Sequence, residues 1–245
     1  FSATFSDRVK KISDDFMEFP VFIDVVPQVK TAAKVEQYLY TVISFQTKLN
    51  LLNHLLSDKE IFNKLIIFCK SKKNANRVAE VLQANYETDG INVLHGDKTQ
   101  QTRVNAINRF REEQIRILIA TDVAARGIDV PGVSHVINFD VPLVYEDYIH
   151  RIGRTGRAFA SGFSVTFVEP QDEWHIKKIQ KLAGISIKRL NMPESVEQVQ
   201  PGKEEIKLRE MEIDRQKRKD NPEFKGAFHE RKSKSGKKGR HAGRK

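Results

Sequence analysis

Short, unbroken apolar runs alternate along this chain with segments whose apolar residues recur every three or four positions, and that alternation leaves few folds open. The runs are Val21 to Val25, Val35 to Ile43, Leu65 to Cys69, Ile91 to Leu94, Ile115 to Ala120, His135 to Phe139 and Phe163 to Val168. Between them, Lys48 to Leu56, Asn74 to Tyr86, Gln100 to Phe110, Tyr145 to Ile152 and Glu173 to Leu182 carry helical spacing. A run that is apolar at every position suits a strand covered on both faces, and intervening helices make the connections parallel. The sequence therefore predicts an α/β domain with a mostly parallel sheet covered by helices on both faces. No apolar run approaches the ~20 residues that a membrane-spanning helix needs. The single cysteine, Cys69, excludes an intramolecular disulfide framework and suits a reducing cytosol, so a cytoplasmic location is expected.

The net charge of +10 is unevenly spread. Residues 1–202 sum to +2, residues 203–223 to zero, and residues 224–245 to +8. The last segment has four glycines, only Phe224 and Phe228 as large apolar groups, and no periodicity. Burial cannot offset its ordering entropy, so it reads as a disordered basic tail. Such a tail suits counterion-release attraction to a nucleic acid backbone; a solubilising terminus without a partner is the alternative. Before it, Glu204 to Lys219 mixes charges of both signs with Ile206, Leu208, Met211 and Ile213, which predicts a mostly exposed connecting helix.

In open α/β sheets ligands bind beyond the carboxyl ends of the strands. Here Cys69 is followed by Lys70-Ser71-Lys72, Leu94 by His95-Gly96-Asp97, Ala120 by Thr121-Asp122, and Phe139 by Asp140-Val141-Pro142. Three of these exits lead into helices whose first turns, near Asn74, Thr99 and Tyr145, direct N–H groups toward one edge, as phosphate sites require. The most specific segment is Tyr148-Ile149-His150-Arg151-Ile152-Gly153-Arg154-Thr155-Gly156-Arg157. Three arginines at spacings of three form a drifting stripe on a helix, and the planar guanidinium suits the oxygens of a transferring phosphoryl group. A salt-bridged surface helix with a glycine cap is the competing reading.

With these segments in place the sequence resembles the DEAD-box family of ATP-dependent RNA helicases, specifically its carboxyl-terminal RecA-like domain. Five stretches carry the resemblance. Ser2-Ala3-Thr4 is similar to the family's coupling motif and Ile67-Phe68-Cys69-Lys70-Ser71 to its fourth motif. Gln100 to Arg103 is similar to its Gln-x-x-Arg, Ala120 to Asp129 to its fifth motif, and His150 to Arg157 to its sixth. The phrase Asn221-Pro222-Glu223-Phe224-Lys225-Gly226 and the Lys-rich tail suggest a bacterial member. The resemblance divides the chain into a remnant of the first domain and linker (1–20), the RecA-like domain (21–192), a linker with a charged helix (193–223) and the tail (224–245). Phe1 in place of Met fits a fragment that begins at the coupling motif.

The resemblance also implies roles. Arg154 and Arg157 act on the γ-phosphate of ATP as catalytic arginines and, with Gly127 and Asp129, bind the nucleotide. Ser2, Thr4, His150 and Arg151 couple the two domains. Lys70, Ser71, Gly96, Gln100, Arg103 and Thr121 hold the phosphates of single-stranded or duplex RNA. Asp122 orients Arg126 or a neighbouring motif. The amino-terminal RecA-like domain of the same protein is the implied partner and the principal holder of ATP and its magnesium.

The chain has no Gly-x-x-x-x-Gly-Lys-Ser/Thr phosphate loop and no Asp-Glu-Ala-Asp after an apolar run. Asp172-Glu173-Trp174-His175 imitates a magnesium-binding motif but lies after Pro170 with no phosphate loop upstream. It reads as a helix start, with Asp172 at the N-cap and Glu173 in the positive first turn. No metal ligands are expected. His95 reads as a hydrogen-bonded structural residue, Cys69 as a small core residue, and Trp174 as a group packed at the sheet edge. Against the helicase stand a non-catalytic RNA-binding module and a DNA helicase; the arginines and Asp129 argue against the first, the fourth to sixth motifs against the second.

Overall fold

A computed structural model of the chain describes residues 7–18, 21, 35–86, 90–156, 162–221 and 223–224. Ser2, Thr4, Arg157, most of the run Val21 to Val25 and residues 225–245 lie outside these. The chain divides into two units, 1–201 and 202–245.

The first unit opens with helix α1 (Asp7–Phe16) and then alternates strands and helices. In chain order these are β1 (Val35–Thr41), α2 (Phe45–Ser57), β2 (Leu65–Phe68), α3 (Lys72–Asn85), β3 (Ile91–Leu94) and α4 (Gln100–Arg111). There follow β4 (Ile117–Ala120), the short α5 (Asp122–Ala125), β5 (His135–Asn138), α6 (Tyr145–Ile152), β6 (Gly162–Val168), a 3-10 turn (Pro170–Asp172), α7 (Glu173–Ala183) and β7 (Lys188–Leu190). The strands form one seven-stranded sheet in the order β3-β4-β2-β5-β6-β1-β7, and every described pairing is parallel. β1 pairs with β6 on one side and β7 on the other.

Strand residues alternate between two apolar layers. Leu65, Ile67, Ile117, Ile119 and Ile137 pack with Leu49, Leu52, Val78 and Leu82 of α2 and α3. Ile66, Phe68, Leu118 and Val136 face the other way, onto Ala106 and Phe110 of α4 and Ala124 and Ala125 of α5. Further along that second face, Val35 and Leu39 of β1 meet Tyr148 and Ile152 of α6 and Ile176 and Ile179 of α7. This two-sided cover explains why β2 and β4 are apolar throughout and why β2, β4 and β5 are buried at every position. Polar side chains set where the helices begin. Ser44, Ser71 and Thr99 accept the backbone N–H groups of Thr47, Asn74 and Thr102 and so cap α2, α3 and α4. α7 stops at Gly184 in the left-handed conformation.

Register fixes the functional edge. Phe68 lies opposite Ala120 on one side and Asn138 on the other, and Leu94 lies opposite Ala120, so the strands end together. The ladder continues into the exits through Cys69 N to Ala120 O (2.9 Å) and Thr121 N to Leu94 O (3.1 Å).

Sequence periodicity missed three elements: α1, which falls in the stretch read as remnant and linker, α5 and β7. α5 is a single turn, and β7 is a three-residue edge strand without an apolar run. In the second unit, α8 (Lys203–Asp220) extends the predicted helix by one residue at each end. Its acids Glu204 and Glu205 lie in the first turn and Lys217, Arg218 and Lys219 in the last, as the helix dipole favours. Among the described residues, no helix is long and apolar enough to cross a membrane.

His135 begins β5 between the rings of Phe62 (4.3 Å between centroids) and Phe163 (5.2 Å). Burial lowers its pKa to about 4, from 6.5. The unfolded chain therefore binds the proton first, and stability is lost as pH falls from about 6.5 toward about 4. Replacing His135 with Phe keeps the stack and removes the titration. Urea unfolding at about pH 7.5 and about pH 5 should show a smaller loss of stability for His135→Phe than for the wild type; an equal loss would refute the assignment.

Candidate functional site

The exits of β3, β4 and β2, adjacent in the sheet, carry Gly96, Thr121 and Lys70-Ser71 side by side. A side chain at Gly96 would meet nothing within 4 Å, so the backbone there is open to close approach. Lys70 is exposed, while Ser71 spends its hydroxyl on the cap of α3. Lys72 and Asp97 tie the β2 and β3 exits together across 2.8 Å. His95 is hydrogen-bonded at both ring nitrogens, to Asn76 Oδ1 (3.0 Å) and to the Asp97 N–H (3.3 Å). The Asp97 N–H needs Nδ1 as an acceptor, so the ring is neutral, and burial and the charge of Lys98 lower its pKa further. From α4, Arg103 donates to Gln100 Oε1 (3.3 Å) and to the Ala124 carbonyl (3.2 Å), which docks this pair against α5. All six residues that the resemblance assigns to RNA thus share one polar ledge.

The arginine segment departs from the expected stripe. α6 ends at Ile152 with Gly153 at its C-cap, so Arg154 lies beyond the helix. A side chain at Gly153 would stand 3.2 Å from the Ile149 carbonyl. Arg151 turns inward instead of toward solvent. Its Nε and Nη2 grip Asp122 at 2.6 and 2.8 Å, and Nη1 donates to the Asp140 carbonyl (2.6 Å) and to Asn138 Oδ1 (3.2 Å). Asp122 therefore orients Arg151, in the neighbouring motif, while the largely exposed Arg126 pairs with Asp147 at 3.2 Å. His150 Nδ1 lies 3.5 Å from the same Asp147 oxygen. Half-buried Arg154 donates to the Ile128 carbonyl. That bond brings Arg154 to the loop of Gly127 and the exposed Asp129, where Gly127 has a φ of 78°. Asp122, Arg126, His150, Arg151 and Arg154 line one shallow cleft between α5 and α6.

Gly156 closes the segment at a φ of 68° against the start of β6. A Cβ on Gly162 would come within 2.4 Å of the Gly156 nitrogen, so glycine is required there. Thr155 fixes the approach by donating to the Val133 and Ser134 carbonyls.

A second charged cluster, which sequence reasoning missed, lies beneath the ledge. Lys48, almost fully buried, reaches Asp140 (3.0 Å) and Glu169 (2.6 Å). Burial works against its ammonium, but these carboxylates outweigh it and hold the pKa above the ordinary lysine range. Burial also opposes ionisation of Asp140, yet Lys48, Lys70 and the Asn74 hydrogen bond draw its pKa down to about 2. Asp172 is pushed up to about 6 by burial, with Glu169 adding to the shift and Lys48 opposing it. Asp140 had a signal, because it is the first polar residue after an apolar run. Lys48 had none, since a lysine on an amphipathic helix reads as solvated.

Asp172 stands at the N-cap position of α7, but its side chain serves the preceding turn. Its carboxylate accepts the Glu169 N–H (3.2 Å) in a reciprocal capping box of the 3-10 turn and makes no side-chain cap to α7. Glu173 binds Arg189 through both oxygens, at 2.8 and 3.0 Å. Trp174 packs edge-on to His175 (5.1 Å) and Tyr145 (6.4 Å). Cys69 is fully buried, and burial raises its thiol well above the ordinary range. Among the described residues, no group of three or more His, Cys, Asp or Glu side chains could hold a metal ion.

Residues 47–159 match the family described as Helicase conserved C-terminal domain. The DEAD-box ATP-dependent RNA helicase CshA of Geobacillus kaustophilus is 36% identical over 212 residues, which cover 86% of this chain and 44% of that protein. The chain thus spans less than half the length of this curated relative. Among solved structures, the Escherichia coli DEAD-box protein SrmB, bound to regulator of ribonuclease activity A, aligns with a TM-score of 0.60 and 36% identity over 69% of this chain and 97% of that one. Dbp5 of Saccharomyces cerevisiae, bound to RNA and ADP BeF3, aligns with a TM-score of 0.70 and 30% identity over 87% of this chain and 54% of that one.

The two arginine–carboxylate pairs of the cleft should differ sharply in worth. Arg151→Met leaves Asp122 without its bidentate partner and should cost about 3 kcal/mol in urea unfolding. Arg126→Met removes a single, monodentate contact from a largely solvated guanidinium to the buried Asp147, which keeps His150 beside it, and should cost about 1 kcal/mol. Equal costs would contradict the assignment of Arg151 as the internal clamp.

Proposed function

Because the chain belongs to the DEAD-box family of RNA helicases, as its carboxyl-terminal RecA-like domain, we propose that it is the arginine-bearing half of an RNA-dependent ATPase that separates short RNA duplexes. The observation that carries this reading is a shared edge: the polar ledge of Lys70, Ser71, Gly96, Gln100, Arg103 and Thr121 and the cleft containing Arg154 both lie at the carboxyl ends of the same strands.

In this proposal the ledge holds the backbone of RNA through charge and main-chain groups, which makes recognition insensitive to base sequence. Thr121 and Asp122 are consecutive, and Asp122 is clamped to Arg151, three residues before Arg154. Movement of the ledge is thereby passed to the arginine segment. Arg154, with Arg157 beyond it, stabilises negative charge on the γ-phosphate as it is transferred to water, and Asp129 accepts a hydrogen bond from the ribose. Gly127 lets the backbone approach the nucleotide. His150 and Arg151, together with Ser2 and Thr4, couple the two domains. ATP is the substrate, and the amino-terminal RecA-like domain is the partner that brings the phosphate loop and the ligands for magnesium. Among the described residues no cluster of side chains offers magnesium a ligand set, and no step runs through it.

Two experiments test the reading. In the full-length protein, Arg154→Ala should lower kcat for ATP hydrolysis about a thousandfold while ATP affinity changes less than about threefold. Near-wild-type turnover would refute the catalytic arginine. Deleting residues 224–245 should weaken RNA binding most at low salt and flatten the dependence of log affinity on log salt. An unchanged slope would remove the tail from the RNA site.

A further inference from the structure

Charged groups are rarely buried without a task, because each costs several kcal/mol to desolvate. Lys48 sits on α2, one position from Leu49 of the core, and its ammonium also lies 5.4 Å from the centre of the Phe139 ring. An apolar residue would fill that place at lower cost. What the ion pair supplies is direction. Lys48 takes one oxygen of Asp140, Oδ1, and the other oxygen then accepts the Lys70 N–H (3.0 Å) and Asn74 Nδ2 (2.9 Å). The β2 exit and the first turn of α3 therefore hang from one carboxylate, whose orientation is set from below. Glu169 shares Lys48 at 2.6 Å and is itself tied to Asp172 by the capping box, so the ammonium is held from two sides. The main-chain carbonyl of Asp140 receives Arg151 (2.6 Å), which links the same residue to the arginine segment.

We propose that Lys48 and Asp140 are positioning residues: Lys48 fixes the Asp140 carboxylate, and that carboxylate sets the Lys70-Ser71 exit in the geometry that receives an RNA phosphate. The proposal rests on the reading of Lys70 and Arg103 as RNA contacts. Neither Lys48 nor Asp140 touches RNA or nucleotide; both act through the backbone of the ledge.

The test is RNA-stimulated ATP hydrolysis by the full-length protein, titrated with poly-uridine at saturating ATP. Lys48→Met should raise the RNA concentration for half-maximal stimulation about tenfold. Asn74→Ala, which removes one bond to Asp140 and leaves the Ser71 cap in place, should raise it about threefold. The KM for ATP should stay within about twofold in both. A purely structural role would instead lower the folded fraction, and with it kcat, while leaving the RNA requirement of the folded molecules unchanged; that outcome overturns the proposal. Should Lys48→Met fail to fold, Asn74→Ala decides alone, and an unchanged RNA requirement refutes the positioning role. The double variant Lys70→Ala, Arg103→Ala separates the two readings. If it leaves the RNA requirement unchanged, the RNA ledge itself is wrong. If it raises the requirement while Asn74→Ala does not, only the positioning role falls.

Discussion

The bidentate bond between Arg151 and Asp122 holds together what the sheet alone leaves apart. Parallel strands bring their exits to one edge, but each exit belongs to a different loop, and loops joined only by the sheet can move independently. Arg151 spends its guanidinium on two of them: Asp122 after β4 and, at the β5 exit, both Asn138 and the carbonyl of Asp140 beyond it. The planar fork makes this possible, because its donors lie in fixed directions that a lysine ammonium could not reproduce. The ring of Phe68 beneath the guanidinium, 5.1 Å away, closes the site from the core. Arg154 follows directly, so its placement depends on a clamp that is already satisfied inside the domain.

Charge is used in two regimes within this chain. Around the sheet the net charge is nearly neutral, and the ionic groups that matter are few, buried and paired. There a pair contributes geometry more than stability, since desolvation offsets most of the attraction. In residues 224–245 the charge is dense and, Glu230 apart, of one sign, and its effect on a polyanion is long-ranged and weakened by salt. The overall charge of +10 therefore describes neither regime.

Much of the fold was legible because parallel strands buried on both faces leave an unmistakable trace. Ile117 to Ala120 and Leu65 to Phe68 are apolar without a break, and serine or threonine caps precede α2, α3 and α4. β7 was not legible, since an edge strand with two exposed residues of three has no pattern to display. In the site, motif order singled out Arg154, Asp129 and Thr121 as candidates, yet the fate of Arg151 was hidden. Spacing of three on a helix could not show that Gly153 ends that helix or that Arg151 points inward. Lys48 was hidden for a related reason: its partners Asp140 and Glu169 are remote in sequence, and only the fold brings them to it.

The sheet order also bears on how such a domain is made. β1 is the first of the described strands to leave a ribosome, yet its neighbours are β6 and β7, from the far end of the unit. β2, β4 and β3 can pair as they emerge, whereas Val35–Thr41 must wait until Gly162–Val168 has been synthesised. While β2 to β5 are being synthesised the nascent chain therefore carries an unpaired strand with the apolar side chains Val35, Leu39 and Tyr40, a surface suited to chaperone capture. Closure of that half of the sheet is a late, long-range step, and the arginine segment between β5 and β6 acquires its final frame only when it occurs.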